Sequence, residues 1–155
     1  DVCIGSDLIV GFPGETEAAF KECLKNIQSL PLAYLHIFRY SPRPGTPAAN
    51  YTDPVDGTTA SRRRQKLENT AQNMTNTFTG SMKNKKFQIL TEHKNDEGSW
   101  EGWTDNYLRA ELPAGFTGIE CNQFIEVVAT EIKSDRHIVV RPVTAPRVFH
   151  EPPTL

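Results

Sequence analysis

The first forty residues change their apolar period twice, and this constrains the fold more than any other feature of the chain. Residues 2–11 read as a buried strand, with Ile4, Leu8, Ile9 and Val10 supplying the apolar content. From Thr16 the spacing becomes helical: Phe20, Cys23, Leu24 and Ile27 fall at i, i+3, i+4 and i+7. Thr16 is placed to cap that helix, Glu17 suits its positive end, and Pro31 stops it. Residues 33–40, "AYLHIFRY", then alternate as a strand, with Leu35 and Ile37 on one side and His36 and Phe38 on the other. Strand, helix and strand within so short a span form a βαβ unit with parallel strands. Parallel strands need cover on both faces and neighbours at both edges, which two strands and two helices do not provide. The expectation is therefore that further strands belong with these.

A Pro- and Gly-rich segment, "SPRPGTPAANYTDPVDG" over residues 41–57, follows, and its Pro42, Pro44, Pro47 and Pro54 forbid regular structure. A second helix is expected from about Thr58 to Thr79, with Leu67, Ala71, Met74 and Phe78 as its apolar stripe and Gly80 as its stop. Beyond residue 84 the character changes again. "KKFQILTEH", "SWEGWT", "NYLRAEL", "QFIEVVATEI" and "RHIVVRPV" are short strand-like runs, some separated by the turns "NDEG" and "PAGFTG". Five short strands in one stretch suggest a small β-barrel of the OB type. The expected organisation is a partial α/β unit over residues 1–80, a barrel over 84–142, and a loose Pro-rich tail over 143–155.

Composition narrows the class. The 155 residues carry a net charge of -2 and 37% hydrophobic residues, so bulk charge does not announce a nucleic-acid binder. No apolar run approaches the ~20 residues that cross a bilayer. Cys3, Cys23 and Cys121 are odd in number and far apart, which argues against a disulfide framework and for a reducing compartment. Cysteines without Cys-x-x-Cys spacing, with His36, His93, His137 and His150 scattered, give no metal site. A chain that opens "DVCIGSD" without an initiator Met reads as a piece of a longer protein, with a processed mature protein as the alternative.

Four stretches could carry chemistry. "GFPGET" follows a strand and opens a helix, where α/β folds bind ligands, although an ordinary βα turn would look the same. It is not a Walker loop, since no Gly-Lys-Ser/Thr follows. "YSPRPGTPA" follows the next strand, so both loops belong on one rim; its one cation, Arg43, could meet a phosphate or carboxylate or simply be solvated. "RRR", residues 62–64, reads first as a solvated helix face and second as a phosphate contact. "WEGWTDNYLR" combines Trp100, Trp103, Tyr107 and Arg109, which could stack on unpaired bases or plug the barrel, while Glu101, Asp105 and Glu111 weaken the RNA reading. The sequon "NMT", residues 73–75, falls inside the second helix and is discounted.

"SDLIVGFPGETE", "LHIFRYSPRPGTPAA" and "EGWTDNYLRAEL", in this order, resemble the methylthiotransferases, radical S-adenosylmethionine (SAM) enzymes that end in a small RNA-binding TRAM barrel. The form "GWTDNYLRAEL" is most similar to the branch that modifies threonylcarbamoyladenosine in tRNA. The resemblance covers the chain to about residue 142. It implies a fold of α/β plus β: the later part of a radical-SAM (β/α) barrel followed by an OB-like TRAM barrel. It implies transfer of a methylthio group to carbon 2 of the adenine at tRNA position 37, with SAM and two [4Fe-4S] clusters as cofactors, in a cytoplasmic monomer. It further implies that Val10, Gly11, Phe12 and Glu15, with Tyr40 and Ser41 at the next strand end, border the SAM pocket. Arg43, Trp103, Tyr107 and Arg109 would meet substrate RNA.

The family's Cys-x3-Cys-x2-Cys motif is absent, Arg39 stands where the family often has Pro, and the three cysteines match no cluster spacing. No catalytic or metal residue is therefore expected here, and the piece alone would be inactive. The competing readings are a non-catalytic RNA-binding module, another radical-SAM enzyme (the isopentenyladenosine or ribosomal-protein methylthiotransferases, or one of porphyrin synthesis), and a plain βαβ piece that binds phosphate at Gly14.

Overall fold

A computed structural model describes residues 2–143, so the expected tail lies, beyond Val143, outside the described residues. The chain divides into two compact units, one of Cys3–Thr75 and the other containing residues 76–143.

The first unit holds a two-stranded parallel sheet, β1 (Gly5–Val10) and β2 (Tyr34–Arg39), joined by helix α1 (Glu17–Ser29). The pairing is parallel, as the sequence led one to expect, and its register runs from Gly5 opposite Tyr34 to Val10 opposite Arg39. β1 is shorter than the expected strand over residues 2–11, because β2 offers only six residues to pair with. Thr16 caps α1, its hydroxyl accepting the Ala19 N–H at 3.1 Å. The helix stops at Ser29 because Leu30 precedes a proline and is held extended, at φ -90° and ψ 148°. A 3₁₀ turn, Pro47–Asn50, interrupts the Pro-rich segment. Helix α2 (Gly57–Gly80) follows, opened by Asp56, whose carboxylate accepts the Thr59 N–H at 2.9 Å.

The core of this unit is Val10, Phe20, Ile27 and Leu67, with Leu8, Cys23, Leu24, Leu35, Ile37 and Met74 packed around it. The α1 face predicted from spacing is the buried one. The reading of Ile9 as buried is corrected: the period of two that sends Leu8 and Val10 inward sends Ile9 outward, 55% exposed beside Phe38.

The second unit is a closed barrel of five strands: β3 (Lys86–Lys94), β4 (Trp100–Thr104), β5 (Arg109–Leu112), β6 (Phe124–Ser134) and β7 (His137–Pro142). Their order around the ring is β3-β4-β5-β7-β6, and only the β5–β7 pairing is parallel. The interior is apolar, with Phe87, Ile89, Leu108, Leu112, Val127 and Ile138 among its buried residues and Phe78 packed against it. Two features hold the ring tightly. Gly102 lies where any Cβ would strike the Leu90 carbonyl oxygen, so only glycine permits the β3–β4 approach. The buried Thr91 hydroxyl donates to the Glu120 carbonyl at 2.7 Å and accepts the Gln123 N–H at 3.1 Å, fixing the chain as it enters β6.

Candidate functional site

Each unit carries one candidate. In the first, the parallel register brings the carboxyl ends of β1 and β2 to the same level, and the Tyr40 N–H continues the ladder to the Val10 carbonyl at 2.9 Å. The chain leaves β1 through Gly11, at φ +77°, a conformation that side chains rarely adopt. Gly11 also passes close to α2, where an added Cβ would stand 3.0 Å from the Ala60 methyl. Gly14 turns the chain again at φ +82°, its N–H donated to the Asp53 carbonyl at 2.7 Å.

The turn is locked from within. The Glu15 carboxylate accepts the Gly11 N–H at 2.9 Å. One nitrogen of Arg63 on α2 donates to that carboxylate and to the Glu15 carbonyl, both at 2.8 Å. The other terminal nitrogen reaches Glu17 at 3.3 Å, and the guanidinium lies over the Phe20 ring, 5.3 Å from its centroid. Arg63 is only 3% exposed. The reading of residues 62–64 as a solvated face therefore holds for Arg62 and Arg64, which pair at the surface with Glu17 and Glu68. It fails for Arg63, and so does the phosphate reading, because α2 turns that residue inward onto the loop.

Of the six residues expected to border SAM, the structure gathers Phe12 and Tyr40 into an aromatic cluster. Their rings meet edge to face at 5.1 Å, and Tyr51 joins Phe12 at 6.1 Å. Ser41 is exposed just beyond, as is Arg43, whose carbonyl accepts from Thr46. The Val10 side chain is in the core, so only its backbone belongs to the rim. Beside Gly14 lies an open cavity of about 400 Å³ bordered by Glu15, Glu17, Asp53 and Asp56 as well as Arg62 and Arg63. Four carboxylates against two arginines make it a poor phosphate site, which removes the main support for the phosphate-binding reading. The Cys23 thiol is pushed up by burial and by Glu15 nearby, which favours its protonated form. Among the described residues, no three His, Cys, Asp or Glu groups are placed to hold a metal, and no helix is long and apolar enough to cross a membrane.

In the second unit, the pleat separates the aromatics. Trp100 packs against the core and takes Lys94 over its ring at 5.0 Å, whereas Trp103 faces outward, 43% exposed. Tyr107 stands on the β4–β5 turn at φ +59°, 69% exposed. The barrel is thus not plugged by Trp103 or Tyr107. Register aligns Phe124, Leu90, Trp103, Arg109 and His137 in one row across five strands. Phe124 and Leu90 were missed in the sequence, although Phe124 is out of phase with the inward Ile125, Val127 and Ala129.

Arg109 is not a bare cation. It donates to Glu101, which His93 also approaches at 3.3 Å. The Arg109 guanidinium holds the Glu101 carboxyl below its usual range. Glu111, opposite Glu101 in the register, is held by Lys133 at 2.6 Å and neighboured by His137 at 3.5 Å. Of the three acidic residues that argued against RNA in the sequence, Glu101 and Glu111 are thus internally paired, and Asp105 is exposed. Burial, with Lys133 nearby, pushes the His137 imidazole below its ordinary pKa.

No protein-family model matches the chain. Curated relatives do. The threonylcarbamoyladenosine tRNA methylthiotransferase MtaB of Bacillus subtilis is 32% identical over 151 residues, 84% of this chain and 33% of the relative. The enzyme of the same name from Thermotoga maritima is 30% identical over 141 residues, 91% of this chain and 32% of the relative. The tRNA-2-methylthio-N(6)-dimethylallyladenosine synthase of Neisseria meningitidis serogroup B is 36% identical over 135 residues, 84% of this chain and 30% of the relative. The relatives are tRNA methylthiotransferases of two substrate specificities, and the chain spans about a third of their length.

Proposed function

We propose that the chain is part of a tRNA methylthiotransferase, its first unit lending a rim to SAM and its barrel a surface to tRNA. The observation that carries this reading is the extent of the similarity. Relatives that act on tRNA match 84–91% of the chain, a span that takes in both the rim and the barrel. On this reading the first unit is a portion of a radical-SAM (β/α) barrel and the second a TRAM barrel of OB type. The ring order, with one parallel pairing between its third and fifth strands, supports the latter.

The rim suits an adenosine-bearing ligand. Phe12 offers an exposed ring with Tyr40 packed edge to face beside it, and Ser41 offers a hydroxyl, while the buried Gly11 turns the chain at φ +77°. The described residues do not suit a [4Fe-4S] cluster, which needs several thiolates, so its ligands would belong to other parts of the enzyme. Once bound to such a cluster, SAM would supply the radical chemistry, and a second cluster the sulfur insertion. This chain's residues would orient the cofactor's adenosine end and, through Trp103, Tyr107 and Arg109, hold RNA.

We assign the substrate as threonylcarbamoyladenosine at position 37, modified at carbon 2, on the strength of the "GWTDNYLRAEL" stretch. Mass spectrometry of tRNA nucleosides from a strain lacking the gene tests both levels. The expected result is loss of the methylthio group from threonylcarbamoyladenosine, with the unthiolated nucleoside accumulating. Loss from dimethylallyladenosine instead would move the protein to the other branch, and unchanged tRNA would overturn the assignment.

A further inference from the structure

We propose that Arg63 is a positioning residue for SAM, acting through Glu15 to hold the turn over residues 11–15 in its binding shape without touching the cofactor. The inference rests on the reading of the rim as part of a SAM pocket. Its geometric basis is a chain of short contacts: Gly11 N–H to Glu15 at 2.9 Å, then Glu15 carboxylate and carbonyl to Arg63 at 2.8 Å each.

The consequence is specific to the loop. The resemblance places Glu15 at the SAM pocket, yet its carboxylate points back to the Gly11 amide and to α2. The exposed group of this turn is the ring of Phe12, whereas Gly11 is buried with its N–H taken by Glu15. The course of the chain into Phe12 depends on Gly11 holding φ +77°, and the Glu15 carboxylate is what anchors the Gly11 amide in that conformation. Arg63 in turn anchors the carboxylate. Without it, a largely buried charge would keep one N–H partner and turn toward water. Only a planar guanidinium can donate at once to the carboxylate, the Glu15 carbonyl and Glu17; a lysine ammonium meets fewer of these, with looser geometry.

The test measures equilibrium binding of radiolabelled SAM to the full-length, cluster-reconstituted enzyme. Arg63→Met is expected to weaken SAM binding about tenfold or more, the order of losing one hydrogen bond to a charged group. Arg63→Lys should recover part of the loss. Glu15→Gln, which keeps an acceptor for Gly11 but not the charge, should fall between wild type and Arg63→Met, and it stands in if Arg63→Met does not fold. The double variant should bind like Arg63→Met alone, because the two groups act as one unit. Leu67→Ala loosens the same helix from the core without touching the turn, so it should lower the melting temperature and leave SAM affinity unchanged.

Binding by Arg63→Met within twofold of wild type would overturn the proposal, and equal weakening by Leu67→Ala would reduce Arg63 to a structural residue. Failure of the unsubstituted enzyme to bind SAM is a different result: it removes the rim reading itself, and the role of Arg63 with it.

Discussion

The two units solve the burial of a sheet in opposite ways. The barrel closes on itself, so every strand has two neighbours and the apolar faces share one interior. The α/β unit pairs two strands only, and Ile9 and Phe38 lie side by side, each about half exposed, on the face away from its core. Among the described residues, the barrel core contains twelve buried side chains and the α/β core four. The lesson is that ring closure gives a small domain its own solvent-free interior, whereas a parallel pair depends on cover it does not carry.

The sharpest way to break this contrast is Gly102→Val. Its Cβ would meet backbone, which cannot rotate away, so the barrel should lose roughly 4 kcal/mol or more, among the largest effects of a single substitution. Both tryptophans are on β4, so intrinsic fluorescence during urea unfolding reports this unit. A variant of wild-type stability would mean the strands can part at no cost. Matched truncations sharpen the contrast at the next level. Leu108 and Leu67 are equally buried, yet Leu108 sits in a closed ring and Leu67 beneath an open sheet. Leu108→Ala should cost ~3–5 kcal/mol and Leu67→Ala nearer ~2 kcal/mol, because the open unit collapses more easily around the lost volume. Hydrogen exchange resolved by segment measures each in place, and equal costs would remove the argument.

The smallest effect is a pH dependence confined to the barrel. Burial depresses the His137 pKa in the folded protein, so the unfolded chain binds its proton more readily. Its contribution is fully present above about pH 6.5, the ordinary histidine value, and is lost as pH falls below it. The depressed Glu101 adds a loss in the same direction at lower pH, as its carboxylate protonates. His137→Asn should flatten the first part of the profile, and an unchanged slope would place the titration elsewhere.

Much of the scaffold was legible because it is periodic. Thr16, the α1 face, and the five barrel runs follow from spacing within a dozen residues. What was not legible depends on partners far along the chain. Arg63 falls four residues before Leu67, on the face of α2 that turns inward, so spacing alone already favours its burial. What spacing could not show is its partner, Glu15, 48 positions away. Likewise Glu101 and Glu111 read as repulsive to RNA until the register set Arg109 and Lys133 against them. Trp100 and Trp103 were grouped as one aromatic feature, although a separation of three on a strand already places them on opposite faces.

The order of strands around the ring has a consequence during synthesis. β3, β4 and β5 are sequential neighbours and can pair as soon as each leaves the ribosome, but β3 finds its other neighbour only in β6, and β5 only in β7. A nascent chain therefore carries two raw edges until the segment through Pro142 has emerged, and its slowest step is the joining of strands distant in sequence.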